Sequence, residues 1–284
     1  MCRKIIIVGA GPAGVSAAVQ LTRLGHKPRL FDSTGHVGGL LVNARRIENY
    51  PGFAQGISGP EFIGHLSAIL ARWKIDVEQA HLQTITPDDE GFSLTFAQKT
   101  VKTSRVILAT GTLPIELPEL KPASIRIFYE VAPLLAAQPR EVLIIGGGEA
   151  SFDYALSLAD RAIHVTLAFR GEFPRAQGVL VFEAMENPFI TLSPLTVLSG
   201  ISPSGVPHVL QNGVPIEFPG AALLVATGRR STCSTFSLPC DGSPFTKHRG
   251  LFIAGDMRLG GLGQLGCAVG DGLYAAFLAA RSNP

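Results

Sequence analysis

The chain has 284 residues, 46% of them apolar and 16% charged, with a formal net charge of +2 and no long run of one sign. That balance excludes the basic patch expected of a nucleic-acid binder, and no apolar stretch approaches the roughly 18 residues of a membrane-spanning helix. The four cysteines, Cys2, Cys233, Cys240 and Cys267, have no C-x-x-C spacing, which argues against a disulfide scaffold or cysteine zinc site and fits a reducing, cytoplasmic compartment.

Met1 to Lys4 followed by Ile5 to Val8 mimics the start of a signal peptide, but the apolar run is too short. Ile5 to Val8 reads instead as a buried parallel strand. Pro12 to Leu24 carries apolar residues at helical spacing and stops at Gly25, and Pro28 to Phe31 is the next strand, completing a βαβ unit. Arg105 to Ala109 is a further strand, closed by Thr110-Gly111, and Thr112 to Pro122 reads as a linker. The opening pattern then returns. Val142 to Ile145 is a strand, Gly146 to Gly148 a turn, Ser151 to Leu158 a helix and His164 to Ala168 a strand. Ala221 to Ala226 with Thr227-Gly228 echoes Ala109-Thr110-Gly111, and Leu251 to Ala254 and Gln264 to Ala280 are the last strand and helix.

The expected fold is therefore α/β: two Rossmann-like, three-layer ββα nucleotide-binding domains, the second inserted into the first. Residues 1–113 and 245–284 form one, and 114–244, about 130 residues and enough for a compact unit, the other.

Gly9-Ala10-Gly11-Pro12-Ala13-Gly14 is G-x-G-x-x-G between a strand and a helix. Gly9 allows the tight turn, Gly11 lets a pyrophosphate approach the backbone, and Gly14 lets helix and strand pack closely. The helix that starts at Pro12 offers unpaired N–H groups, from Ala13 onward, and a positive dipole end to phosphate. Asp32, 23 residues after Gly9, ends the following strand, where an acid accepts hydrogen bonds from ribose hydroxyls.

Further on lie Gly38-Gly39-Leu40, Glu48-Asn49-Tyr50-Pro51-Gly52-Phe53, Gly56-Ile57-Ser58-Gly59-Pro60-Glu61 and the late Gly255-Asp256. Together with the first glycine loop they resemble the FAD domain of the thioredoxin reductase family. The resemblance covers nearly the whole chain, densely in the FAD half and sparsely between Gln177 and His248. It implies FAD as cofactor, Asp256 on its ribityl chain and Gln264 beside the flavin, with Gly38, Gly39, Leu40, Asn49, Ala109, Thr110, Gly111 and Gly255 around it. It also implies a homodimer. The family's arginine before Gln264 is Gly263 here. A helix N-terminus at Gln264-Leu265 would stabilise negative charge on reduced flavin.

Gly146-Gly147-Gly148-Glu149-Ala150-Ser151 repeats the motif, with serine, still small, at its third glycine. Phe169 stands where the first unit has Asp32, and Arg170 and Arg175 follow. An acid there favours NAD, whereas guanidinium groups favour the 2′-phosphate of NADP. NADP(H) is the favoured second ligand, with NAD(H), a second flavin or an empty site as alternatives. The family pattern has two adjacent arginines, and Phe169 replaces the first. Glu149, near the expected pyrophosphate, is unfavourable.

In thioredoxin reductases a C-x-x-C pair lies just before the second loop. Tyr129-Glu130-Val131-Ala132 holds that place here, which rules out the usual dithiol route to thioredoxin. The segment resembles instead the thioredoxin-reductase-like ferredoxin (or flavodoxin)–NADP reductases. That implies electron transfer between NAD(P)H and ferredoxin, flavodoxin or a small-molecule acceptor, with the flavin as redox centre and no catalytic side chain. Two other readings stand beside it: disulfide chemistry through Cys233 and Cys240, Cys267 or an external disulfide, and a flavin-binding sensor or interaction module. Cysteines as small buried residues are the plainer reading. Tyr50 and Tyr129 either line the flavin pocket or pack in the core. The seven histidines show no ligand spacing, so no metal is expected.

Overall fold

The computed structural model describes residues 5–282 apart from 90, 98, 118–126, 239–242, 245, 247 and 261–262. Cys2 and Cys240 lie outside the described residues. Contacts divide the chain into two units, one of Met1–Val42, Ile47–Leu113 and Arg229–Pro284, the other of Asn43–Arg46 and Pro114–Gly228.

The first unit is built on a five-stranded parallel sheet in the order Leu251–Ile253, Arg105–Leu108, Ile5–Val8, Arg29–Asp32, Val77–Gln79. Its middle strands are buried on both faces, which is why they read as unbroken apolar runs rather than alternating ones. The period of two is still at work. Ile5, Ile7, Leu30, Ile107 and Phe252 face a core shared with helices Pro12–Arg23, Gly59–Trp73 and Leu265–Arg281. Ile6, Val8, Phe31, Val106, Leu108 and Ile253 face the antiparallel strands Leu82–Asp88, Gly91–Phe96 and Lys99–Thr103, through Leu82, Phe92, Leu94 and Phe96. Helices, parallel sheet and antiparallel sheet make the expected three layers.

The second unit repeats the plan. Its parallel sheet runs Ile190–Ser193, His164–Ala168, Glu141–Ile145, Ala222–Val225, Ile127–Phe128. Val142, Ile144, Val165 and Leu167 pack on the helix side with Phe152, Ala155 and Ala184. Leu143, Ile145, Leu223 and Val225 pack with Val209 and Leu198 of the antiparallel strands Thr196–Ile201, Pro207–Gln211 and Val214–Glu217.

Two expectations are corrected, and one helix is added. The chain returns to the first unit at Arg229, not at residue 245. The Arg229 guanidinium donates to the hydroxyl and carbonyl of Thr112, Thr232 donates to the Gly111 carbonyl, and Cys233 is buried with Leu251 and Met257. The stretch expected as a linker begins with a strand, Thr112–Pro114, paired to Arg229–Ser231, and residues 118–122 of it lie outside the described residues. The helix Gly59–Trp73 is an element for which the sequence reading made no assignment. Ser58 accepts from the Glu61 N–H while the Glu61 carboxylate accepts from the Ser58 N–H, a capping box that fixes its start.

At the first glycine turn a Cβ on Gly14 would stand 1.7 Å from the Gly9 carbonyl oxygen, and one on Gly9 2.2 Å from the Ala109 oxygen. Ser151, at the equivalent place in the second unit, is fully buried and its hydroxyl donates to the Gly148 carbonyl at 2.6 Å. The second turn is thus built to hold a Cβ where the first is not. Gly14→Ala is expected to lower stability by about 3 kcal/mol or more through overpacking, and Ser151→Gly by much less. Urea unfolding of the two variants checks the contrast.

Candidate dinucleotide sites

In the first unit, Ile5–Val8 delivers the chain into a turn with Gly9 at φ +107°, and Gly11 caps the helix that begins at Pro12. Proline at this first position loses nothing, since its missing N–H would have had no helical partner. No side chain caps this helix, and a Cβ on Gly11 would meet nothing within 4 Å. The turn therefore presents bare N–H groups to open space beside Gly11, the environment an anionic pyrophosphate needs. Gly39, at φ +55°, comes within 3.4 Å of the Gly11 Cα by its own Cβ direction, and Gly38 is buried and donates to the Ala10 carbonyl at 3.0 Å. Leu40 lies beside them in a short 3-10 turn, Gly39–Asn43.

Asp32 is fixed on both oxygens. One accepts from the Ala10 N–H at 2.9 Å and the other from the N–H and hydroxyl of Thr34 at 2.8 and 2.7 Å. These bonds tie the acid to the glycine turn before any ligand arrives. Ala109, Thr110 and Gly111 end the neighbouring strand. The Thr110 hydroxyl bonds that of Thr232 at 2.7 Å, and Gly111 takes φ +69°.

The Gly255-Asp256 turn follows the edge strand, and its anchor is a residue the sequence reading passed over. Asp271, the only acid in the otherwise apolar helix Leu265–Arg281, accepts from the Gly255 N–H and pairs with Arg258 through both oxygens. A lone carboxylate among apolar helix residues was the available signal. Burial pushes the Asp256 carboxyl up from its ordinary range, with Arg229 opposing and Asp271 adding to the shift. A Cβ on Gly263 would lie 2.2 Å from an Asp256 oxygen. The position where the family carries arginine thus has no room for a side chain while Asp256 sits as it does. Gln264 caps the last helix, which runs to Arg281 rather than Ala280, and its side-chain carbonyl accepts from Asn49 at 2.8 Å. Two residues named from separate motifs therefore meet.

Tyr50 is half-buried and packs against Phe62 and Phe53, with ring centroids 5.1 and 6.2 Å apart. Cys233 is buried, its thiol directed at the Met257 carbonyl. Cys267 is exposed, so the expectation that it packs in the core is corrected: its place in the first turn of the last helix faces outward.

In the second unit Gly146 to Gly148 lead into the helix Glu149–Ala159, capped by Gly148 and again without a side-chain cap. A Cβ on Gly148 would enter open space, as at Gly11. Glu149 and Ala150 are exposed in the first turn, and Gln177 donates to the Glu149 carboxylate at 2.9 Å, holding it. Phe169 is buried, and its Cβ lies 2.9 Å from where a Gly147 side chain would begin. Arg170 and Arg175 are both exposed, and the Arg175 N–H donates to the Gly147 carbonyl at 2.7 Å, so this arginine leaves the chain at the glycine turn.

The segment Tyr129 to Ala132 is held by polar contacts. Glu130 accepts from Asn43 at 2.9 Å and from the Tyr154 hydroxyl at 2.7 Å, Asn43 accepts from the Ala132 N–H, and the Tyr129 oxygen accepts from the Leu117 N–H. Next to Asn43, Arg45 pairs with Asp160 at 2.6 Å and Glu183 at 2.8 Å, and its N–H donates to the buried Asp153.

Two uncapped glycine turns, each between a parallel strand and a helix, define a two-dinucleotide α/β protein. The chain belongs to the pyridine nucleotide-disulphide oxidoreductase family, whose pattern it matches over residues 3–272, and is thus an FAD-dependent, NAD(P)H-linked oxidoreductase of thioredoxin reductase type. It is 29% identical to the thioredoxin reductase of Treponema pallidum over 97% of this chain and 95% of that one. It is 28% identical to NADPH-dependent thioredoxin reductase 3 of Arabidopsis thaliana, of whose length it spans 58%. Among solved structures, Lactococcus lactis thioredoxin reductase superposes with a TM-score of 0.86 at 25% identity over 98% of both chains. The bacillithiol disulfide reductase of Bacillus cereus shares the fold, with a TM-score of 0.80 at 18% identity over 99% of both.

Burial raises the Asp153 carboxyl to about 6, against the opposing pull of the Arg45 and Arg46 N–H groups and the Arg45 charge. The folded protein holds this proton more tightly than the unfolded chain does, so stability falls as pH rises from about 4 to 6. The shift corresponds to a cost on the order of 3 kcal/mol at neutral pH. Asp153→Asn is expected to flatten the stability profile over that window and to raise the denaturation midpoint above pH 7, read by denaturant titration across pH.

Proposed function

We propose that the first unit holds FAD and the second NADP(H), and that electrons leave the flavin directly for an external acceptor. The observation that carries this reading is the pair of uncapped glycine turns combined with Tyr129-Glu130-Val131-Ala132 where the family's dithiol would be. Bound FAD would supply the two-electron carrier, accepting hydride from the nicotinamide and releasing electrons onward. The protein's part is to bind and orient. The N–H groups after Gly11 take the pyrophosphate, Asp32 the adenosine ribose, Asp256 the ribityl chain, and Gln264, held by Asn49, the flavin edge. The second turn, through Gly146, Gly148 and Ser151, takes the nicotinamide dinucleotide's pyrophosphate, with Arg175 and Arg170 on the 2′-phosphate. Phe169 is committed to the core, which leaves the phosphate to these two arginines.

The acceptor under this reading is an electron-carrier protein such as ferredoxin or flavodoxin, or a small molecule. A small external disulfide is the second reading, supported by the fold shared with a bacillithiol disulfide reductase. The buried Cys233 gives little support to a protein-thiol version. We further propose that the chain acts in the cytoplasm as a homodimer, as the family resemblance implies.

Anaerobic NADPH is expected to bleach the flavin absorbance of the purified protein, and failure of both NADPH and NADH to do so would overturn the reading. Arg175→Ala should raise KM for NADPH about tenfold with little change for NADH, the loss of one charge-assisted phosphate contact. Steady-state kinetics with each nucleotide reads this. Turnover with a panel of ferredoxin, flavodoxin and low-molecular-weight disulfides then separates the acceptors. Simultaneous replacement of Cys233, Cys240 and Cys267 by alanine is expected to leave turnover intact.

A further inference from the structure

Both nucleotide turns follow the carboxyl ends of parallel strands. At the opposite end of the first unit's sheet a separate cavity of about 340 Å³ opens ahead of the strand Leu251–Ile253 and beside the end of the last helix. Thr246, His248, Arg249, Gly250, Arg281 and Ser282 contribute to its wall. Among the described residues no carboxylate lines this cavity, and neither Arg249 nor Arg281 is ion-paired. Arg249, Arg281 and His248 thus line one hollow, with no acid among the described residues of its wall.

Ordinary structural duties do not account for this charge. A cation in the last helical turn commonly serves the free carbonyls, but here those of Leu278 and Ala279 are already served. The Leu278 carbonyl accepts from the Ser282 N–H, and that of Ala279 from the Ser282 hydroxyl and the buried Arg105. Arg281 is left over the Phe277 ring, 5.8 Å from its centroid. The loop bearing the other two cations is set in place. The Thr246 oxygen accepts from the His248 N–H at 3.1 Å and lies within hydrogen-bond distance of the His248 and Leu251 carbonyls. Arg249 then leads into Gly250, at φ +92°, where a Cβ would meet the Ser104 carbonyl at 2.8 Å. Thr246 and Gly250 thus hold the backbone on either side of His248 and Arg249.

We propose that this cavity is a binding site for a small phosphate-bearing anion, held by Arg249 and Arg281 with His248 beside them. Guanidinium groups pair in bidentate fashion with phosphate oxygens, and the volume leaves room for a small organic body behind the phosphate. The site lies at the opposite end of the first unit's sheet from that unit's glycine turn, and none of its wall residues belongs to the second unit.

The test uses FAD-loaded protein with saturating NADP+, so that the two nucleotide turns are filled. Inorganic phosphate and glycerol 3-phosphate are titrated separately at constant ionic strength while the His248 ring proton signals, assigned by their loss in His248→Gln, are followed by NMR. A saturable shift is expected, weakened about tenfold or more in Arg249→Gln, the loss of one charge-assisted pair. Tighter binding of glycerol 3-phosphate identifies an organic phosphate as the ligand, and equal binding identifies the free ion. Arg249 is exposed and touches no core, so this variant stays folded even if Arg281→Gln does not. A shift reproduced by sodium chloride, one that never saturates, or one unchanged in Arg249→Gln overturns the proposal.

Discussion

The structure depends on how closely a helix is allowed to approach the end of a strand. At Gly14 the backbone of the first helix lies against the Gly9 carbonyl with no space for a Cβ, and Gly9 itself lies against the Ala109 carbonyl of the next strand. That crowding aims the helix start at the space beside Gly11, where nothing stands within 4 Å of a Cβ. Dense packing behind the turn and open space in front of it arise from the same glycines. The last helix joins the arrangement from the other side: a Cβ on Gly272 would lie 2.0 Å from the Ala13 carbonyl. The second unit reaches the same geometry with less crowding, because Ser151 replaces the third glycine and bonds the turn with its hydroxyl.

Around this constraint the polar groups are fixed before any ligand binds. Asp32 is held by Ala10 and Thr34, the Gly255 turn by Asp271 and Arg258, and Gln264 by Asn49. Such bonds reduce the ordering cost of binding. At residue 263, where the family pattern has arginine, a Cβ would lie 2.2 Å from an Asp256 carboxylate oxygen, so a side chain there would require Asp256 to turn away. The second unit departs in a comparable way. Phe169 has been drawn into the core against Gly147, while Arg175 is tied by its backbone to the glycine turn.

The segment that would carry a dithiol has become a small polar cluster. Glu130 gathers donors from Asn43 and Tyr154, and Ala132 donates to Asn43. Glu130 and its neighbours are spoken for by structure, and Tyr129 to Ala132 contains no cysteine.

The sequence alone determined the βαβ openings, both glycine turns, the acid after the first and the arginines after the second. These follow from local rules: a turn at positive φ demands glycine, and a strand buried on both faces demands an unbroken apolar run. Only the tertiary structure decided the return of the chain to the first unit at Arg229, which segments form the antiparallel layers, and the exposure of Cys267. The return rests on contacts between residues more than a hundred positions apart, Arg229 with Thr112 and Thr232 with Gly111. Gly91–Phe96 does alternate, but Leu82–Asp88, Thr196–Ile201 and Val214–Glu217 carry mixed burial along short lengths. The helix Gly59–Trp73 announced itself through Ser58 and Glu61, yet only the folded chain showed those residues closing on each other. Local backbone demands were legible in the sequence; pairings across long chain separations, which carry no local signature, were not.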